Sequence, residues 1–133
     1  MKYEASFLIL SLALLFSPSS AYPHHSFAAE YDTDKPVQIT GTVTKVEWTN
    51  PHVHFYVDVK NNQGEVVNWN IELGPPLILR HLGWRQDSLK TGDQVTVEGY
   101  LAKDQSNLAN AKKVTLADGR SVFAGSSAEK RGE

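Results

Sequence analysis

The chain has no cysteine. That excludes a disulfide framework, a thiolate metal site and a lipid-modified cysteine, and leaves a packed core as the source of stability. It also lacks any basic run: charges of both signs are scattered along the chain and the formal net charge is −2. A surface of that kind has little attraction for a polyanion, so no nucleic acid is expected among the partners. Internal repeats and low-complexity blocks are missing as well. The one sustained apolar run, Phe7 to Phe16, has about half of the roughly 20 residues that a spanning helix needs, so no stable membrane anchor is expected from it.

What is present at the N-terminus has the order of a secretory signal. Lys2 supplies a thin positive region, Phe7 to Phe16 the apolar one, and Ser19-Ser20-Ala21 the small residues that signal peptidase reads. Residues 1–21 are therefore expected to be a signal peptide, with a periplasmic or secreted product beginning at Tyr22. Within 133 residues this leaves room for one small domain. Residues 22–36 read as a polar, histidine-containing arm, 37–123 as the folded domain, and 124–133 as a small and charged tail expected to be disordered.

Alternation is clearest in Val53-His54-Phe55-Tyr56-Val57-Asp58-Val59, where one strand face is apolar and the other carries His54, Tyr56 and Asp58, with His52 in phase. Val37 to Trp48 is an earlier strand whose apolar parity switches between Val43 and Val46. A bulge or bend near Thr44-Lys45 is expected there, with Gly41 easing the curvature. Asn61-Asn62-Gln63-Gly64 is a hairpin turn into Val67, Trp69, Ile71 and Leu73. Gly74-Pro75-Pro76 ends that strand, and Leu77 to Leu82 is a short helix stopped by Gly83. Gln94 to Leu101 and Ala111 to Leu116 are two further strands, with Asn107 to Ala111 as the turn and entry to the last; Asp118-Gly119 can turn the chain back through Phe123.

Three strands, a short helix and two strands are the order of an OB-like fold, a five-stranded Greek-key barrel with the helix plugging one end. Phe55 and Trp69 are expected in its core. An immunoglobulin-like sandwich fits less well, since it wants about seven strands and has no use for the helix.

Pro23-His24-His25-Ser26-Phe27-Ala28-Ala29-Glu30-Tyr31-Asp32, Gly41 to His52 and Leu89-Lys90-Thr91-Gly92-Asp93, in that order, resemble an uncharacterised family of small exported bacterial proteins. The resemblance covers nearly all of the chain after the signal. It implies bacterial export and an OB-like barrel, and no activity. Members often carry the His-His pair at the mature N-terminus, whereas here Tyr22-Pro23 would precede it.

Core packing does not ask for two histidines at i and i+2 on a polar strand face, about 7 Å apart along the backbone. Matching the apolar faces across the hairpin leaves two registers. One sets His52 opposite Glu72 and His54 opposite Asn70; the other sets His54 opposite Glu72 and Tyr56 opposite Asn70. In both, His52, His54 and Glu72 share a patch. Two imidazoles and a carboxylate can hold copper, zinc or nickel, and His24 and His25 on the arm could supply further nitrogens. The candidate metal ligands are thus His24, His25, His52, His54 and Glu72. Asp58, Asn68 and Asn70 are candidate partners of the imidazoles, and Trp48 and Tyr56 extend the face toward a ligand or protein partner. The plain alternative is that these are ordinary polar residues of an exposed strand.

Sharper copper motifs fit less well. Pro23 has no amide proton, so His24 cannot bind copper through two preceding amide nitrogens. A histidine brace would need processing just before His24 or His25. Ser26 with His25 and Glu30 builds no preorganised nucleophile, because neighbours on an arm provide no oxyanion hole. The expected function is a non-enzymatic periplasmic binding module for a metal ion, copper favoured over zinc. The alternatives are a metal-free module that binds an envelope protein, or a small copper oxidase with a processed N-terminal histidine.

Overall fold

The computed structural model describes residues 27–126. The expected signal peptide, His24, His25 and residues 127–133 lie outside the described residues. The elements are α1 (Phe27–Glu30), β1 (Tyr31–Glu47), β2 (His54–Lys60), β3 (Val66–Glu72), α2 (Pro76–His81), β4 (Gln94–Ala102), β5 (Leu108–Thr115) and β6 (Ser121–Phe123).

β1 pairs antiparallel with β2 and with β4, β2 with β3, and β4 with β5. A short parallel pairing of β3 with β5, Asn70↔Leu108 to Glu72↔Asn110, closes the sheet into a ring. This is the OB-like all-β fold expected from the sequence, with α2 between β3 and β4. β6 is a sixth strand outside the ring, paired with β5 alone.

The core fills the ring by strand alternation. Val53, Phe55 and Val57 point inward from one strand and Ile71 and Leu73 from its partner, all essentially inaccessible to solvent, and Val95, Val97 and Val114 meet them from the other side. Leu79 of α2 is fully buried against them, so the helix does plug an end. Trp69, expected beside Phe55, is only partly buried at the margin of the cluster.

The parity switch in β1 is realised as an irregularity in its pairing with β2 between Val43 and Lys45. Gly41 has a different reason from curvature alone: a Cβ there would stand 2.3 Å from the Asp58 carbonyl oxygen, so only glycine lets β2 approach.

Three boundaries differ from those read in the sequence. β1 begins at Tyr31 rather than Val37, because Tyr31 and Asp32 pair with Ala102 and Leu101 before an irregularity that ends at Pro36. The polar run Thr33-Asp34-Lys35 hides that earlier segment from any periodicity. β5 starts at Leu108, where a turn was expected; its first residues are the ones that close the ring on β3. Ala124 and Ser126 are buried rather than part of a loose tail, since Gly74 N–H donates to Ala124 O at 2.7 Å and the Ser126 hydroxyl donates to Asn110 Oδ1 at 2.6 Å.

Candidate functional site

Of the two hairpin registers, the structure has the one that sets His54 opposite Glu72, Tyr56 opposite Asn70 and Asp58 opposite Asn68. The turn fixes it. Asn61 Oδ1 accepts the N–H groups of Gln63 and Glu65, both at 2.9 Å, and Gly64 takes a φ of +81°.

Each imidazole then reaches across the strand pair and one step along it. His54 Nδ1 lies 2.8 Å from Asn70 Oδ1, and His52 Nδ1 lies 2.8 Å from Glu72 Oε1. Both oxygens can only accept, so both Nδ1 atoms carry the proton in these bonds. In the neutral rings the Nε2 atoms keep their lone pairs. Two imidazoles are thus held in the same tautomer on the same face by neighbouring partners.

Glu72 is more than a rim carboxylate: it is 8% exposed. Its other oxygen, Oε2, accepts the hydroxyl of Tyr31, which is itself buried. Tyr31 reaches this position because Phe27 packs on it, ring centroids 5.3 Å apart, and makes an edge contact with Tyr100. Burial, and then the hydrogen bond to Glu72, push the Tyr31 hydroxyl far above its ordinary range, so it remains a donor at any ordinary pH. Tyr31 falls within the stretch expected to be a polar arm, yet it is a buried residue of β1. The signal for it in the sequence is the aromatic pair Phe27 and Tyr31 at i and i+4.

The remaining members of the face hold one another. Tyr56 OH donates to Glu47 Oε2 at 3.2 Å, and Lys45 Nζ stands 5.4 Å above the Tyr56 ring. Glu47, paired with Lys45, has its carboxyl held below the usual range, first by the hydrogen bond from the Lys45 ammonium. Asn68 Nδ2 donates to Asp58 Oδ1 at 2.8 Å and to Thr44 Oγ1 at 3.2 Å. Asp58 and Asn68 therefore bond to each other rather than to an imidazole. Trp48 packs against the core margin with its Nε1–H buried and without a partner among the described residues. Among these residues no three His, Asp or Glu side chains stand together as a metal-holding group, and the face offers two imidazoles rather than a full ligand set.

No curated protein matches the chain. Among solved structures, the mitochondrial single-stranded DNA-binding protein Rim1 from S. cerevisiae is similar, with a TM-score of 0.48 and 15% identity over 62% of this chain and 92% of that one. The expectation that nucleic acid is excluded is corrected here, because net charge alone is too weak a ground for it; the neighbour's own name gives single-stranded DNA binding for that protein. A likeness at this level assigns no ligand to the chain. A family model described as a family of unknown function (DUF6152) matches residues 12–111, and the chain belongs to that family.

Proposed function

We propose that this chain is an exported, non-enzymatic binding module that takes up a transition-metal ion through Nε2 of His52 and Nε2 of His54. The observation that supports this reading is the pair of Nδ1 hydrogen bonds, His52 to Glu72 and His54 to Asn70, both 2.8 Å. Protein metal sites commonly hold an imidazole in this way, with an oxygen acceptor on one ring nitrogen and the metal on the other. Glu72, a candidate ligand on sequence grounds, takes the role of orienting partner, since its two oxygens serve His52 and Tyr31. Copper is favoured over zinc because divalent copper heads the affinity order for nitrogen donors. His24 and His25 remain the candidates for completing the coordination sphere. The module would serve as a carrier, a buffer or an accessory to another envelope protein.

Titration calorimetry with copper(II) and zinc(II), on protein whose N-terminus is fixed by intact mass, tests this directly. Stoichiometric binding is expected, copper tighter than zinc, and weakening on acidification to about pH 5 as protons compete for the imidazoles. His52→Ala/His54→Ala should abolish it, while Asn70→Ala should weaken it by about tenfold through loss of one orienting bond. Unchanged binding in the double variant would remove the face from consideration.

A further inference from the structure

Five large apolar side chains are well exposed among the described residues: Val66, Leu77, Ile78, Leu82 and Phe123. Four of them gather at one end of the ring. Leu77 and Ile78 lie on α2 and Leu82 just after it. The end of β6 runs alongside, because Trp84 Nε1 donates to the Phe123 carbonyl at 2.8 Å and a Cβ on Gly125 would stand 3.2 Å from Ile78 Cγ2. α2 turns Leu79 inward and Leu77, 62% exposed, outward. A surface helix ordinarily buries its apolar side chains and presents polar ones. This one buries Pro76 and Leu79 and presents Leu77 and Ile78 to solvent.

Cations flank the apolar group. Arg80 and His81 are in the last turn of α2, and Arg85 follows Trp84. Arg80 has no carboxylate partner among the described residues, and Arg85 has only Asp87 at 3.8 Å, with both side chains highly exposed. A cleft of about 540 Å³ opens between them, lined by Arg80, Trp84, Arg85, Gln86 and Asp87. Apolar side chains that protrude, rather than line a groove, suit a soft surface into which they can sink. Guanidinium groups around them suit phosphate headgroups at its rim.

We infer that the end of the fold formed by α2 and β6 docks on an anionic lipid bilayer, with Leu77, Ile78, Leu82 and Phe123 entering the acyl boundary and Arg80 and Arg85 meeting the headgroup phosphates. The surface shares no residue with the histidine pair and its partners, and stands whether or not that pair takes a metal.

Co-sedimentation with phosphatidylcholine vesicles, with and without phosphatidylglycerol, is the test. All proteins carry the same N-terminus, so that residues before Phe27 contribute equally. The parent should bind the anionic vesicles in preference to the neutral ones. Leu77→Ser/Leu82→Ser, both at exposed positions, should lower binding at least about tenfold. Arg80→Gln/Arg85→Gln, or about 0.5 M salt, should erase the preference for anionic lipid. The inference is overturned if the parent does not bind anionic vesicles or if both variants bind as the parent does. It is overturned equally if light scattering finds a parent dimer that Leu77→Ser/Leu82→Ser dissociates, since a second copy of the chain would then be what covers this end.

Discussion

Gly99→Ala is expected to cost about 3 kcal/mol of folding stability, read as a lowered denaturant midpoint with an unchanged slope. Gly99 lies on β4 where the pairing with β5 shifts register between Glu98 and Gly99. A Cβ there would stand 2.1 Å from the Asn110 carbonyl oxygen and 2.9 Å from its carbonyl carbon. These are backbone atoms, so no side chain can swing aside; β5 itself has to move. Asn110 also pairs with Glu72 across the short β3–β5 closure, so the displacement reaches the segment that completes the ring. A midpoint within error of the parent would mean that β5 yields without cost, and that the closure is far looser than its geometry.

Tyr31→Phe is the second large effect. The variant keeps the ring that packs on Phe27 and deletes only the hydroxyl that Glu72 accepts. Glu72 is a buried carboxylate, and losing one of its two partners should destabilise the fold by about 1–3 kcal/mol at neutral pH. The pH dependence is the more specific signature. Tyr31 has its proton affinity raised in the folded state by burial and by Glu72. Its contribution is therefore complete below the ordinary tyrosine pKa of about 10 and is lost as the pH climbs above that value, where the unfolded chain releases a proton that the folded chain retains. In Tyr31→Phe this part of the alkaline fall in stability should vanish. Denaturant midpoints of parent and variant from pH 8 to about pH 11 decide it; parallel curves would show that the hydroxyl is not held as the structure has it.

The parts of the fold that the sequence disclosed are those where one residue decides one thing. Val53, Phe55 and Val57 alternate with polar residues and are buried, the parity change before Val46 is a real irregularity, and Gly83 ends α2 at a φ of +96°. What stayed hidden depends on partners far away in the chain. Asn107 to Ala111 reads as a turn and strand entry, since Asn and Ala disfavour strands, yet Ala109 and Asn110 are already held between β3 and β4. Tyr31 looked like part of a polar arm because its burial is supplied by Phe27, Tyr100 and Ala102.

The candidate site divides in the same way. Alternation together with the hairpin turn puts His52, His54 and Glu72 on one patch. Which nitrogen each imidazole uses, and that Glu72 has a second partner in Tyr31, required the register and the three-dimensional closure. Asp58 and Asn68 were plausible imidazole partners by spacing, but the same register that serves His54 sets them opposite each other.

The ring also sets a clock on folding. β2 and β3 can zip together across their tight turn as soon as both have been made, and β4 and β5 are similarly near in sequence. β1 has to wait: nine of its residues, from Tyr31 to Thr42, find their partners on β4, beyond two other strands and a helix. Pairing over such a separation belongs to folding on the order of milliseconds to seconds rather than microseconds. Through that interval one whole side of β1 presents open backbone donors and acceptors, and any foreign strand or chaperone has its best access to this protein then.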